Sequence, residues 1–147
     1  MKLGTLLVAA MMLTLAVDRA DARDGDLGNP TKALSTMTPA QIEHAKKCYL
    51  DCLGSSNEGV VQSAIGIVLQ WRLVTPKEDL SKCEQKLYDL AVNGSSPAIR
   101  FKASLASLVM DNPSLVNFDV ASCDDCGELF DAITASVRQM VIGHRLY

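Results

Sequence analysis

Five cysteines are the residues best equipped for chemistry in this chain: Cys48, Cys52, Cys83, Cys123 and Cys126. A thiol can serve as a nucleophile, a metal ligand or half of a disulfide, and spacing decides among these roles. Cys48 and Cys52 are one helical turn apart, so on a helix they share a face without readily bridging each other. A bridge from one of them to Cys83 is geometrically open, and Cys123 and Cys126 can bridge locally. The odd count leaves at least one thiol free or intermolecular. A second reading converges Cys48-x3-Cys52 and Cys123-x2-Cys126 on zinc or an iron–sulfur centre, although no histidine supports that set. A third makes Cys123-Asp124-Asp125-Cys126 a thioredoxin-like redox pair. A helix N-terminus would lower its thiol pKa, but the two aspartates would raise it, and no βαβ pattern surrounds it. Covalent haem needs a histidine where Gly127 stands. The plainest reading is packing. Cys48, Cys52, Cys83 and Cys126 fall on apolar stripes, where cysteine behaves as a small hydrophobe, with one or two disulfides contributing about 2–4 kcal/mol each where formed. That reading calls for no cofactor and no metal ligand.

Little else in the sequence carries chemistry. His44 lies on a polar helix side beside Glu43, and His144 lies near the C-terminus, where a cation at a helix end is favourable. Asp124, Asp125, Glu128 and Asp131 read as acidic residues complementing a helix start. No phosphate loop, HExxH or GxSxG occurs. The chain is therefore expected not to be an enzyme. Lys46, Lys47, Arg100 and Lys102 form a candidate binding face.

The setting of these residues follows from the N-terminus. Lys2, the apolar run from Leu6 to Val17 and Ala20-Asp21-Ala22 predict a signal peptide over residues 1–22, the run being too short to span a bilayer. Export, periplasmic or secreted, is the expected localisation, and it is the compartment in which disulfides persist. The formal net charge is -3, and lysines and arginines are scattered. That balance provides no basic stripe for nucleic acid, and no later segment is apolar enough for membrane insertion once the signal is removed. About 125 residues remain, enough for a single domain with its own core.

Helix signals fill that domain and strand signals are nearly absent. Residues 23–37 read as a flexible leader, with Gly25, Gly28 and Pro30. Thr38, Pro39 and Gln41 predict a capped helix start, and Gly54 is expected to end that helix in a left-handed conformation. A second helix follows Ser56 or Asn57 and is apolar over most of its circumference, as a helix buried on several sides would be. Thr75-Pro76-Lys77-Glu78 reads as another capping box, opening a third helix that stops at Asn93-Gly94. Ser96-Pro97 opens a fourth, which ends at Asp111-Asn112-Pro113. A fifth runs from about Asp124 to about Ile142, with a stripe of Cys126, Leu129, Phe130, Ile133, Val137, Met140 and Val141. Residues 144–147 form a short tail.

Gly54-Ser55-Ser56 recurs as Gly94-Ser95-Ser96, forty positions on. The same offset pairs Val61 with Phe101, Ala64 with Ser104, Ile65 with Leu105 and Val68 with Leu108. Short turns force antiparallel hairpins, and two stacked hairpins bury a seam that neither buries alone. The spacing falls at the short end of the roughly 40–47 residues of HEAT repeats. Residues 57–64 and 96–103, the latter running Ser96-Pro97-Ala98-Ile99-Arg100-Phe101-Lys102-Ala103, resemble the starts of second helices in HEAT-like repeats. The predicted fold class is all-α, a single HEAT-like domain over residues 38–143 with about five helices, the last closing the open end of the stack. The resemblance implies binding or scaffolding of a protein or peptide partner and brings no catalytic residues. The competing function class is a cysteine-based redox or metal-binding protein of the cell envelope.

Overall fold

The computed structural model describes residues 36–123 and 125–143. Residues 1–35, with the predicted signal peptide and most of the expected leader, Asp124, and residues 144–147 with His144 lie outside the described residues. The order is α1 (Pro39–Leu53), α2 (Glu58–Val74), α3 (Ser81–Asn93), α4 (Pro97–Asp111), two 3-10 turns (Pro113–Leu115 and Val120–Ser122) and α5 (Cys126–Gly143). The described residues contain no strand, and none of their helices is long and apolar enough to cross a membrane.

Side-chain caps set most of the boundaries. The Thr38 amide donates to Gln41 Oε1 at 2.8 Å, and Thr38 Oγ1 accepts from the Gln41 amide, a reciprocal capping box. Asn57 Oδ1 accepts from the Val60 amide at 3.2 Å and starts α2. Ser96 Oγ accepts from the Ile99 amide and donates to Glu58 Oε1 at 2.7 Å, so one serine caps α4 and ties it to the start of α2.

Two local expectations are corrected. Thr75 does not open α3; it closes α2, its amide and its hydroxyl both donating to the Trp71 carbonyl. Arg72 then donates to the carbonyls of Pro76 and Glu78, which shapes residues 75–80 into a turn, and Asp79 Oδ1 takes the Ser81 amide. The glycines ending α1 and α3 are not left-handed: Gly54 has φ -92° and Gly94 φ -56°. Gly94 is required by space instead. A Cβ there would stand 2.5 Å from the Leu90 carbonyl and 2.7 Å from Ile99 Cγ2.

The helices pair as α1 with α2 and α3 with α4, and these antiparallel hairpins stack, α1 on α3 and α2 on α4. Helix α5 packs chiefly on α2, and then on α4. Three layers result: α1 with α3, α2 with α4, then α5. The middle position of α2 explains its apolar circumference. Ile65, Val68 and Leu69 are fully buried, in one core with Leu87, Ala103 and Ile133. Gly66 lets α5 approach, since a Cβ there would meet Cys126 Sγ at 2.6 Å and Cys126 Cβ at 2.7 Å.

Helix α5 therefore covers the α2–α4 face rather than capping the stack. Its stripe is buried at Leu129, Phe130 and Ile133 but not throughout, because Met140 and Val141 are exposed in the last turns.

Candidate interaction surface

The cysteines are dispersed over the domain. Cys83 is buried and its thiol donates to the Lys46 carbonyl at 3.8 Å. Burial pushes that thiol's pKa up and Glu84 adds to the rise, with Lys46 opposing. Cys126 is half-buried over Gly66 and donates to the Ser63 carbonyl at 3.8 Å. Burial raises its pKa as well, followed by Asp125, against Lys102. Thiols held protonated in this way are poor nucleophiles and poor ligands. Cys52 lines a shallow apolar groove between α1 and α2 with Val60 and Ile67, and Cys123 packs half-buried against the core. Cys48 departs from the stripe expected of it. It is exposed, with Sγ 3.5 Å from His44 Nε2. No disulfide joins any of the five, and among the described residues no three His, Cys, Asp or Glu side chains converge for a metal.

The four cations of the expected face are separated into three settings. Lys46 and Lys47 line a cleft of about 410 Å³ between α1 and the start of α3, over Leu50, Leu80 and Cys83. Lys46 bridges Glu43 at 2.7 Å and Glu78 at 2.5 Å, which fixes α1 to the α2–α3 turn. These contacts hold Lys46 protonated above its ordinary range, the Glu43 hydrogen bond foremost. Arg100 donates to the Gly94 carbonyl at 2.7 Å and so braces the α3–α4 turn. Lys102 lies over the Phe130 ring, 5.3 Å from its centroid, and joins α4 to α5. Three of the four thus hold this fold together, Lys46 through ion pairs, Arg100 through a hydrogen bond and Lys102 through the Phe130 ring.

Sequence reasoning did not single out the outer side of the α3–α4 hairpin. Phe101 is 57% exposed and Leu108 41%, on a row that continues through Ser104 to Asp111. On α3, Val92 is 74% exposed and Tyr88 lies one turn before it. The Tyr88 hydroxyl donates to Asp111 Oδ1 at 2.6 Å, which fastens the two rows side by side. Four large apolar side chains, Tyr88, Val92, Phe101 and Leu108, are thus exposed on the two helices of the second hairpin. Single exposed hydrophobics need no explanation, whereas a contiguous set marks a contact surface. The signal was present in the pairing of Phe101 with Val61 and of Leu108 with Val68. A row that is core in one helix recurs in the other without a third hairpin to cover it.

No protein family, curated protein or solved structure matches the chain.

Proposed function

We propose that this protein is an exported, non-catalytic helical-repeat module that binds another protein through the free side of its second hairpin. The observation that carries the reading is the exposed apolar set Tyr88, Val92, Phe101 and Leu108 on α3 and α4. Its occupant is an amphipathic helix of a second exported protein, laid where a further hairpin of the stack would lie. The HEAT-like reading supports this choice, since first helices stack on first and second on second, and such stacks bury apolar faces against successive neighbours. The N-terminal signal pattern supports a periplasmic or secreted setting. A redox role has less support, because burial raises the pKa of both Cys83 and Cys126.

Affinity capture from the cell envelope tests the proposal, with the wild-type chain beside a Val92→Glu/Phe101→Glu variant. Both positions are exposed, so the variant is expected to keep the wild-type helical spectrum. The reading expects one exported protein recovered reproducibly with wild type and lost with the variant, the protease-protected contact mapping to a helix of that partner. Recovery unchanged by the two glutamates, or no reproducible partner at all, overturns it.

A further inference from the structure

The seam between α1 and α3 lies apart from the surface proposed above. The cleft of about 410 Å³ over Leu50, Leu80 and Cys83 runs on into a shallower hollow of about 330 Å³ beside Gln85 and Lys86, and the two share Leu50 and Lys82. One groove therefore follows the first helices of both hairpins. Its carboxylates are already committed. Glu43 bridges Lys46 at 2.7 Å, Asp89 bridges Lys86 at 2.9 Å, and Asp79 accepts from the Ser81 amide at 3.1 Å. Two of its cations are not. Lys47 on α1 and Lys82 on α3 are exposed, one on each wall, and no carboxylate among the described residues pairs with either. The start of α3 adds to this imbalance. Leu80 offers no side-chain cap, and the amides of Lys82 and Cys83 have no acceptor among the described residues. Such amides carry partial positive charge.

We propose that this groove binds an extended acidic peptide segment of a partner protein. Charge complementarity selects the occupant. Carboxylates on the segment meet Lys47 and Lys82, in charge-assisted contacts stronger than neutral ones. An aliphatic residue between them lies over the apolar floor at Leu50. The length suits a peptide rather than a single anion. Lys82 to Asp89 spans seven residues of α3, about 10 Å along its axis, which is about three residues of extended chain. Contacts of this kind are screened by salt.

The probe is a labelled, end-blocked peptide Glu-Glu-Leu-Glu-Glu, titrated with the full-length chain and followed by fluorescence anisotropy. Saturable binding is expected at about 50 mM salt, weakening at about 200 mM. Lys47→Glu/Lys82→Glu should weaken it at least about tenfold, and a Gly in place of the peptide's Leu should weaken it too. Arg138→Glu, on α5, should bind like wild type. So should Val92→Glu/Phe101→Glu, which keeps this groove separate from the second hairpin's surface. All variants should keep the wild-type helical spectrum, since every changed residue is exposed. In the amide spectrum the largest shifts should fall on Lys82 and Cys83. No saturable binding below about 1 mM, equal binding of Lys-Lys-Leu-Lys-Lys, or a Lys47→Glu/Lys82→Glu variant that binds like wild type overturns the proposal.

Discussion

Helices α2 and α4 carry apolar residues in the same order, forty positions apart, and meet opposite surroundings. Val61 is 2% exposed and Val68 fully buried, while their counterparts Phe101 and Leu108 face out. Ile65 and Leu105 are buried in both. The difference lies in the neighbours. Helix α2 is enclosed by α1, α4 and α5, whereas α4 has α2 and α3 beside it and α5 only in part. An apolar stripe therefore predicts a contact, and the position in the stack decides whether the chain supplies that contact itself. Where it does, the stripe is core; where it does not, the stripe is available to another molecule.

Placing the same charge in both rows separates their environments most strongly. Val68→Asp buries a carboxylate with no partner, a penalty of several kcal/mol against a typical total of about 5–15 kcal/mol. It is expected to leave the domain unfolded or barely folded at room temperature. Leu108→Asp places the same group at a partly exposed site and should cost only about 1–2 kcal/mol, from lost apolar contact, lower helix propensity and the nearby Asp111 charge. Thermal melts followed by circular dichroism compare them directly. Similar melting of the two variants would show that the rows do not differ in environment.

A second pair sharpens the role of α5. Gly66 and Ala106 also correspond at the forty-residue offset, and both are buried. In a helix alanine is normally better than glycine by about 1 kcal/mol. At position 66 the added Cβ would press on Cys126 Sγ and Cβ within 2.7 Å, forcing α5 outward at about 1–3 kcal/mol. Gly66→Ala should therefore lower the melting temperature in spite of its better helix propensity. Ala106→Gly should lower it too, by about 1 kcal/mol of lost propensity. Each helix thus prefers its own residue. A stabilised Gly66→Ala variant would mean that α5 does not cross α2 this closely.

How far the chain could be read without coordinates follows from these residues. Caps were legible because they are local: Thr38 with Gln41, and Ser96 before Pro97, act within one turn. Thr75 was misleading because Thr-Pro-Lys-Glu satisfies a capping pattern, while the Trp71 carbonyl and the Arg72 guanidinium, on the preceding helix, compete for the same loop. The hairpins and their stacking followed from periodicity and short turns. The placement of α5 did not, since its stripe fits the end of a stack as well as its side. The candidate surface was half legible. Phe101 and Leu108 were visible as repeats of core residues, but exposure is a property of what is missing next to them. The His44–Cys48 contact lay in plain view as a four-residue spacing. Reading His44 on the polar side of α1 and Cys48 on its apolar stripe hides it, because the two faces meet where i and i+4 side chains stack.

The smallest expected effect concerns the link that holds the free side of the second hairpin together. Donation to Asp111, first of all, raises the Tyr88 pKa above its ordinary value, with burial and the Asp111 charge adding. A raised pKa of this kind means that the bond stabilises fully below the unfolded tyrosine value of about 10 and fades as pH climbs through the folded one. Tyr88 is exposed, so the bond contributes no more than about 0.5 kcal/mol. Tyr88→Phe removes it while keeping the ring. Urea unfolding at pH 8 should show wild type ahead by that small margin, and the margin should close in alkali. The raised pKa values of Cys83, Cys126 and Lys46 also tie alkaline stability to pH, but they are common to both proteins and cancel in the difference. A margin that persists unchanged at high pH would place the link in packing of the Tyr88 ring, and the two apolar rows would then be held together without the hydroxyl.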